Sequence, residues 1–471
     1  MGAKAVKAIN RGFICLMAGL WVWAGTGVSA GHFTLPERCV ISDFGAIGDG
    51  RTLNTVAIQS AIDRCATNGG GVVLVPPGIF LTGALFFKPG VNLRVERDAV
   101  LKGSTREEDY PQVYTRWEGV ECVWTCALLN FDNLTNVQVG GEGTIDGSGD
   151  FWMPRGGRRG RANPLLAQTN ATASVQDAAA NTFAIDVTNR SATNAGARRG
   201  PGRPRLICFS HCRQVRISGL HLQRQAVWCL HLLYCQDVVV DGLNIRAIER
   251  IPSSDGIDVD SSRDVTISRC DIACNDDDIA IKCGKDADGL RVNQPAENIT
   301  IRDCTIGAGA GITMGSEVSG SIRHVLVERC RFTGTDNAAR FKSQPSRGGV
   351  VEDITYRDIQ LNDVRQAVVF DMAWRMVPPI APPAKVLTQV RKVRFINLSG
   401  TAKFAGFIEG LKDAPIQAVS FRDCKIMAQR GLYLANETNT DLSGLTLEVA
   451  EGEPIIHQAA STLNPGELMV R

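Results

Sequence analysis

The 471-residue chain lacks the features that mark several protein classes. Its formal net charge is only +2, so a general electrostatic attraction to nucleic acid is excluded for the chain as a whole. Beyond the first thirty residues, no apolar run is long enough to cross a bilayer. Aromatic residues make up only 6%, yet the 44% hydrophobic content is too high for a disordered chain. We therefore expect a folded protein that binds neither nucleic acid nor membranes.

The first thirty residues have the pattern of a secretory signal peptide. Lys4, Lys7 and Arg11 precede an apolar run at 13–24, and the small residues 28–30 are typical of a cleavage site. The run is too short and wrongly flanked for a membrane-spanning helix. We predict a signal peptide at 1–30 and a secreted or periplasmic mature chain, which we expect to be a monomer.

Cysteine is plentiful, but the usual zinc-binding spacings are absent. Fourteen of the fifteen cysteines follow the predicted signal peptide and would enter an oxidising compartment. Three C-x-x-x-C pairs occur, without any C-x-x-C or paired histidines beside them, so zinc is disfavoured. We interpret most of these cysteines as small buried hydrophobic residues and expect one or two disulfides. The three pairs are Cys122/Cys126, Cys208/Cys212 and Cys270/Cys274.

The middle and C-terminal parts repeat a short pattern in which apolar and polar residues alternate, as in a strand with one buried face. Copies recur roughly every 23 to 34 residues, the range of a solenoid repeat. The clear copies span 212–222, 235–245, 263–272, 297–306 and 322–332, and weaker ones span 351–359, 390–398 and 416–426.

Two solenoids have short strands at this period, a leucine-rich horseshoe and a right-handed parallel β-helix. The linking segments are irregular in length and contain further strands, such as 279–282, which favours several strands per coil. We predict an all-β fold, a right-handed single-stranded parallel β-helix over 31–471. Cys270, Cys304 and Cys330 occupy equivalent places and should form one column in its core.

Two segments depart from the repeat. A β-helix needs its open end covered, and 54–65 can do so as an N-terminal capping helix, with Asn54 as its N-cap and Gly69 to Gly71 ending it. Strands at 72–75, 79–80 and 93–95 would then begin the coils. The segment at about 154–204 has no sustained periodicity, and we predict a flexible insert there.

The polar residues that can carry chemistry lie in four segments about one coil apart. Intervals of roughly 21, 34 and 30 residues separate Asp255, Asp276, Ala310 and Arg340. Residues one coil apart stack at about 4.8 Å. The four segments should therefore form one patch, although they span nearly ninety residues.

This patch combines several carboxylates with a pair of cations. Adjacent carboxylates repel, so one tends to remain protonated while another is ionised, which is the division that acid–base catalysis needs. Placed diagonally on neighbouring coils, two of them could reach the separation of about 6.5–9.5 Å found in inverting glycosidases. Arg340 and Lys342 alternate along one strand and could receive a substrate carboxylate.

With these segments in view, the chain resembles glycoside hydrolase family 28, the polygalacturonase family, over nearly all of its mature length. Residues 43–50 and 76–80 look like the opening of bacterial members. Three motifs carry the rest of the resemblance: Ser254-Asp255-Gly256, Asp276-Asp277 and Arg340-Phe341-Lys342.

The resemblance implies an inverting hydrolase of galacturonate-containing pectic polysaccharide or oligosaccharides, with no metal or organic cofactor. Asp276 would protonate the leaving oxygen, and Asp255 and Asp277 would activate water. Arg340 and Lys342 would bind a galacturonate carboxylate.

One departure concerns the family's Gly-His-Gly motif, which is Gly309-Ala310-Gly311 here. His231, about one coil before Asp255, could compensate as a substrate contact. Three alternatives remain open. They are a rhamnogalacturonan hydrolase of the same family, a calcium-dependent pectate-lyase-like β-helix, and a carbohydrate-binding β-helix without catalysis.

Overall fold

The computed structural model describes residues 37–153, 202–374, 382–458, 462–464 and 469–470. The predicted signal peptide and nearly all of the predicted insert lie outside these ranges. None of the helices within them has the length and apolar character that a membrane crossing requires.

The described residues form strands β1 to β36. In chain order their bounds are β1 Glu37–Val40, β2 Asp49–Leu53, β3 Gly71–Val75, β4 Gly78–Thr82, β5 Leu85–Phe86, β6 Val91–Val95, β7 Ala99–Gly103, β8 Gln112–Trp117, β9 Val120–Thr125, β10 Leu129–Asp132, β11 Thr135–Gly141, β12 Thr144–Asp146, β13 Ile207–Ser210, β14 Arg213–Ser218, β15 His221–Gln223, β16 Leu230–Leu233, β17 Gln236–Asp241, β18 Asn244–Arg246, β19 Ile257–Asp260, β20 Arg263–Ser268, β21 Asp271–Ala273, β22 Ile279–Lys282, β23 Ala296–Arg302, β24 Thr305–Ile306, β25 Ile312–Met314, β26 Ile322–Glu328, β27 Arg331–Thr333, β28 Asn337–Lys342, β29 Val350–Asp371, β30 Gln389–Glu409, β31 Ile416–Arg422, β32 Cys424–Ala435, β33 Glu437–Asp441, β34 Leu445–His457, β35 Thr462–Asn464 and β36 Met469–Val470.

All strands except β8 and β9 join one continuous parallel sheet that winds into coils. Three columns of strands run along it, because each strand pairs with its equivalent on the next coil. Column A is β1-β3-β6-β11-β14-β17-β20-β23-β26-β29, column B is β2-β4-β7-β12-β15-β18-β21-β24-β27-β29, and column C is β5-β10-β13-β16-β19-β22-β25-β28-β29. Beyond β29, the columns continue through β30 to β36. The predicted right-handed parallel β-helix is confirmed.

The core consists of stacked apolar residues that the alternating pattern places inward. In column A, Val215, Val238 and Val265 are in register on successive coils and are almost fully buried. Aromatic rings stack in the same way, as in Phe131 and Phe209, whose centroids lie 4.3 Å apart. Each coil thereby covers the apolar surface of its neighbour, which is how a solenoid stabilises strands too short to be stable alone.

Fourteen cysteines lie in the described ranges, and all but Cys122 are buried. Apart from Cys39 and Cys65, these cysteines are free thiols, so the expected disulfides are not present among those twelve. The predicted core column is confirmed, because Cys270, Cys304 and Cys330 are each no more than 2% exposed and follow equivalent strands. They pack as small hydrophobic residues.

Two α-helices lie in the described ranges, α1 Thr55–Thr67 and α2 Asp286–Val292, with 3-10 turns at Ile41–Phe44, Glu107–Asp109 and Gly149–Trp152. The predicted capping helix is α1, and it buries Ile58, Ala61, Ile62 and Cys65 against the first coils. Asn54 precedes it but does not cap it with its side chain, which instead binds the backbone of Ile47, Thr52 and Leu81.

Strands β8 and β9 form an antiparallel hairpin that the repeat pattern did not predict. Trp117 of β8 stacks on Trp124 of β9 and contacts Trp228, which precedes β16, with both pairs of ring centroids 4.7 Å apart. Beneath this contact, Arg116 forms an ion pair with Asp260 of β19 at 2.8 Å. The hairpin therefore covers the outer face of column C where β16 and β19 lie.

Candidate active site

Column C brings the predicted site residues together at one face of the helix. Asp255 precedes β19, Asp276 and Asp277 precede β22, and Arg340 and Lys342 belong to β28. Register fixes their stacking, since Ile257 pairs with Ile279, Ile279 with Ile312, and Ile312 with Ala339. Residues far apart in sequence thus meet within four coils, as predicted.

The three aspartates Asp255, Asp276 and Asp277 converge. One carboxylate oxygen of each lies within 4.8 Å of the others. This is the nearest approach of single oxygens, whereas the expected separation of about 6.5–9.5 Å refers to whole carboxyl groups and stays a prediction. Asp276 and Asp277 are neighbours in one turn, and Asp255 lies one coil away, where the N–H of the next residue, Gly256, donates to the carbonyl oxygen of Asp277.

Asp277 is buried and surrounded by hydrogen-bond donors. Its Oδ2 accepts from Lys342 Nζ at 2.7 Å, and its Oδ1 accepts from Thr313 Oγ1 at 2.7 Å and from Arg340 at 3.3 Å. Burial alone would raise the pKa of Asp277, but the cations, Lys342 first, hold it below its ordinary value. Asp277 is therefore the ionised carboxylate of the cluster.

Asp255 lies in a different environment. Its Oδ2 accepts from Lys282 Nζ at 3.1 Å, and the same ammonium group lies 2.9 Å from Asp258. Burial raises the pKa of Asp255 well above its usual range, although Lys282 acts in the opposite direction. Burial likewise raises the pKa of Asp258, to about 6.

Asp276 differs from both neighbours because its side chain is only half-buried. Its Oδ1 accepts a hydrogen bond from the backbone N–H of Asp277 at 3.0 Å. Within the described ranges, no ion pair joins Asp276 to a cation. Of the three carboxyl groups, Asp276 is the one that a molecule entering from solvent can reach most readily.

Glycosyl hydrolases family 28 is the family whose model matches residues 185–443, more than half of the chain. This chain belongs to that family. A second model, rhamnogalacturonase A/epimerase, pectate lyase-like, matches residues 38–93 in the first coils.

Curated relatives and solved structures extend the likeness over most of the chain. A probable polygalacturonase of Vitis vinifera is 30% identical over 418 residues, covering 86% of this chain and 77% of the relative. An exo-poly-alpha-D-galacturonosidase of Dickeya chrysanthemi is 28% identical over 356 residues, covering 72% and 58%. The crystal structure of a hyperthermoactive exopolygalacturonase from Thermotoga maritima superimposes with a TM-score of 0.71 at 26% identity, covering 91% of this chain and 94% of the other.

In this family 28 protein, the predicted cation pair, Arg340 and Lys342, contacts the aspartates, and one of its members also lines the pocket. Arg340 and Lys342 leave the same face of β28, as predicted, and both contact Asp277. Lys342 also lines the pocket above the aspartates and lies over the ring of Trp374, 4.9 Å from its centroid. Lys342 is therefore the member of the pair that is placed to meet a ligand.

The expected substrate contact of His231 is not supported, because its side chain is fully buried. Arg205 donates a hydrogen bond to His231 Nδ1 at 2.6 Å, and Nε2 faces Asp260 at 3.3 Å. Burial lowers the pKa of His231 to about 4, so this imidazole is neutral. It belongs to the packing beneath the hairpin β8–β9 rather than to the pocket.

Ala310, in place of the family histidine, lies beside the aspartates. The backbone N–H of Ala310 donates a hydrogen bond to the carbonyl oxygen of Asp276 at 2.8 Å, and Ala310 is 8% exposed. The adjoining turn is held by Asp278, which accepts from the N–H groups of Gly311 and Cys274. Asp278 is thus a structural turn residue, although it belongs to the same Asp-Asp-Asp run.

Most of the other residues that line the pocket were not predicted from the sequence. Lys282 could have been predicted from its equivalence to Lys342. Ile281, Met314 and Phe341 are in register on successive coils. Lys282 follows Ile281 just as Lys342 follows Phe341. Glu317 is 7% exposed and faces the pocket, where nearby cations, Lys282 first, oppose burial and lower its pKa. The remaining wall residues, which have no repeat signal, are Glu118, Trp228, Ser253, Lys285, Asp286, Ser316, Gln344, Arg347 and Trp374.

The three converging aspartates present the kind of oxygen atoms that could bind a metal ion. Calcium prefers six to eight oxygen ligands with little competing positive charge. Here Lys282 engages Asp255, while Lys342 and Arg340 engage Asp277, so cations of the protein already compensate two of the three carboxylates. The donor set does not fit calcium.

Proposed function

We propose that this protein is an exported hydrolase of galacturonate-containing pectic polysaccharide or its oligosaccharides. The observation that carries the proposal is the convergence of Asp255, Asp276 and Asp277 in one pocket that also holds Lys342. Membership of glycosyl hydrolase family 28 and the polygalacturonases among its relatives support this choice of substrate.

The surroundings of the carboxyl groups suggest their roles. Asp276, the most accessible, is placed to donate a proton to the glycosidic oxygen as the bond to the anomeric carbon breaks. Asp277 is ionised and, with Asp255, is placed to take a proton from the attacking water. Attack from the face opposite the leaving group inverts the anomeric centre.

Binding of the uronate would use the cations of the pocket. Lys342, Lys285 and Arg347 line it, and a uronic-acid carboxylate is the ligand group that complements them. Trp228 and Trp374 supply apolar ring surface against which a sugar can pack.

Product analysis tests the proposal. Purified protein should release reducing ends from polygalacturonate without the ultraviolet absorbance of an unsaturated product, and a calcium chelator should not change the rate. Release of monomers or dimers alone would indicate attack at chain ends, while a ladder of oligomers would indicate internal cleavage. The first product detected by NMR should be the β-anomer if an α-linkage is hydrolysed with inversion. Unsaturated products that depend on calcium would contradict the proposal.

Rhamnogalacturonan hydrolysis is the second candidate. Two observations favour it: Ala310 replaces the family histidine, and the rhamnogalacturonase-type model matches residues 38–93. The same assay on rhamnogalacturonan decides between the two, because the preferred polymer should have the higher kcat/KM.

Export and a monomeric state are part of the proposal. Their support is the signal-peptide pattern of residues 1–30 and the enclosure of the pocket by residues of one chain. N-terminal sequencing of protein from the periplasm or medium, and its mass in solution, test them.

A further inference from the structure

Lys282 connects a pocket carboxyl group to a second one behind it. Its ammonium nitrogen lies 3.1 Å from Asp255, 2.9 Å from Asp258 and 3.9 Å from the ring centroid of Trp228. It donates a hydrogen bond to Asp255, forms an ion pair with Asp258 and lies over the face of the Trp228 ring. With its side chain 6% exposed, Lys282 is a fixed bridge rather than a mobile cation.

Asp258 is fully buried on β19 and is not part of the pocket wall. Asp255 Oδ1 and both side-chain oxygens of Asp258 are buried and accept no hydrogen bond from any N–H or hydroxyl group of the described residues, although Asp258 Oδ1 forms an ion pair with Lys282. A proton held between the two carboxyl groups would satisfy one oxygen of each. The single positive charge of Lys282 balances only one of two buried carboxylates. The second negative charge would be uncompensated, so the pair is favoured to hold one proton between its two carboxyl groups.

We propose that Asp258 and Lys282 are positioning residues that hold Asp255 as one half of a carboxyl pair sharing a single proton. Asp258 acts on the reaction only through Asp255, and Lys282 fixes which edge of Asp255 faces the pocket. The inference rests on the proposed function, in which Asp255 takes part in activating water.

The proton balance of this arrangement is complete. As the water oxygen bonds to the anomeric carbon, its proton passes to the pocket carboxylates, and the glycosidic oxygen leaves with the proton of Asp276. The pair of Asp255 and Asp258 gives the transferred proton a second oxygen to occupy. The carboxylate that took the proton then releases it to solvent, and Asp276 takes one up, which restores the starting state.

Several other charges face the pair from neighbouring elements and set its background. Asp276 and Asp277 raise the pKa of Asp255, after the larger effect of burial. Glu317 faces Lys282 from the turn after β25, and Arg203 faces Asp255 from the segment before β13. Glu118 faces Lys282 from the tip of the hairpin β8–β9. None of these groups changes in the variants below.

The two positioning residues should shift the pH dependence in opposite directions. Asp258→Asn removes a like charge beside Asp255, so its carboxyl should lose its proton at lower pH. Lys282→Met removes the cation that stabilises the ionised form, so the proton should be lost at higher pH. Asp277 stays ionised, and Asp255 can take the proton of water only after the pair has lost its shared proton, so the acid limb of kcat/KM should report that loss.

The experiment compares acid limbs of kcat/KM for the native protein, Asp258→Asn, Lys282→Met and the double variant. We expect shifts of about one pH unit downward for Asp258→Asn and upward for Lys282→Met, with kcat changed more than KM. Asp237→Asn, an exposed ion-paired aspartate, serves as the matched control and should leave the limb in place. Shifts in the same direction, or none, would overturn the proposal.

Two further outcomes separate this inference from others. If Lys282→Met raises KM tenfold or more with an unchanged acid limb, Lys282 is a substrate receptor and the proposal is wrong. If Lys282→Met alone does not fold, the double variant should still fold, because it removes a cation and an acid together. Its acid limb should then be that of Asp255 without either neighbour. An acid limb like that of the native protein would count against the shared proton.

Infrared spectroscopy tests the shared proton without any activity. The difference spectrum of native protein minus Asp258→Asn at a pH just below the native acid limb should contain a protonated carboxyl band, with Asp278 cancelling because it is unchanged. A missing band overturns the pair even in an active enzyme. A band in a protein inactive on every galacturonate substrate would keep the pair and refute the proposed function instead.

Discussion

Two arginine–aspartate pairs in this protein share their chemistry and nearly their geometry, but they lie in different surroundings. Arg116 and Asp260 meet at 2.8 Å with side chains 1% and 0% exposed, beneath the hairpin β8–β9. Arg216 and Asp237 meet at 3.0 Å with side chains 45% and 47% exposed, on the outside of column A. Water screens the second pair and not the first, so the same contact has different energetic consequences.

The same contrast holds for the whole molecule. Ion pairs that link successive coils across the outer face are at least partly open to solvent, whereas the pairs of Lys282 with Asp255 and of Lys342 with Asp277 at the pocket are almost completely buried. In the buried set, pKa values move in opposite directions within one coil spacing: Asp277 falls and Asp255 rises. Repeat spacing stacks the residues of both sets of ion pairs. Burial of the pocket set then makes one carboxyl group ionise more readily than its neighbour.

Asp277→Asn is the strongest way to break the buried set. Under the proposed assignment it removes the ionised carboxylate that helps to activate water, and we expect kcat to fall by about 10²- to 10⁴-fold. Asp237→Asn, which neutralises an exposed ion-paired aspartate, should leave kcat unchanged. Initial rates on the preferred polymer measure both. A loss of less than about threefold for Asp277→Asn would remove Asp277 from the mechanism.

The same substitution has a signature in the pH dependence of stability. The folded-state pKa of Asp277 is lower than the unfolded value of about 3.9, so its ionised form contributes stability above that pH. This contribution is lost as the pH falls through the folded-state pKa. The difference in unfolding free energy between the native protein and Asp277→Asn should therefore be constant above about pH 4 and should change only below it.

Arg116→Met probes the buried pair that is not part of the pocket. It leaves the carboxylate of Asp260 buried without its arginine, and such losses cost about 3–5 kcal/mol of unfolding free energy. Urea denaturation measures the change. Adding Asp260→Asn to Arg116→Met should recover part of the loss, because the uncompensated charge is then gone. A loss below about 1 kcal/mol would show that the buried pair behaves like the exposed ones.

The fold was predictable because its signal is local and repeated. The alternation in each copy identifies a strand with one buried face, and the spacing identifies the coil, so β14, β17, β20, β23 and β26 follow from sequence alone. The same spacing placed Asp255, Asp276 and Arg340 in one patch. Stacking along a solenoid is a one-dimensional property, and a linear sequence encodes it directly.

The rest depends on contacts between distant segments. The alternation within the hairpin β8–β9 resembles that of any coil strand, and only the contact of Trp117 with Trp228 reveals that it lies across column C. The hairpin buries every residue of β16, so the alternation of apolar and polar residues no longer distinguishes core-facing from outward-facing side chains in that strand. His231 was assigned to the pocket because it lies about one coil before Asp255, and coil spacing does not show that the hairpin covers it. Lys282 had a signal, its equivalence to Lys342, but its role depends on the burial of Asp258, which spacing does not show.

The exposed pair provides the smallest effect and completes the comparison. Arg216→Ala removes the partner of Asp237, and we expect the free energy of unfolding to fall by less than about 1 kcal/mol, because both charges remain hydrated after the loss. Urea denaturation at low and high salt checks this, since screening should shrink even that small difference as the ionic strength rises. A loss as large as that of Arg116→Met would mean that the column A face is stabilised by its ion pairs and that exposure does not distinguish the two sets. A small, salt-sensitive loss beside a large one for Arg116→Met would show that desolvation beneath the hairpin, rather than pairing itself, separates the two regions.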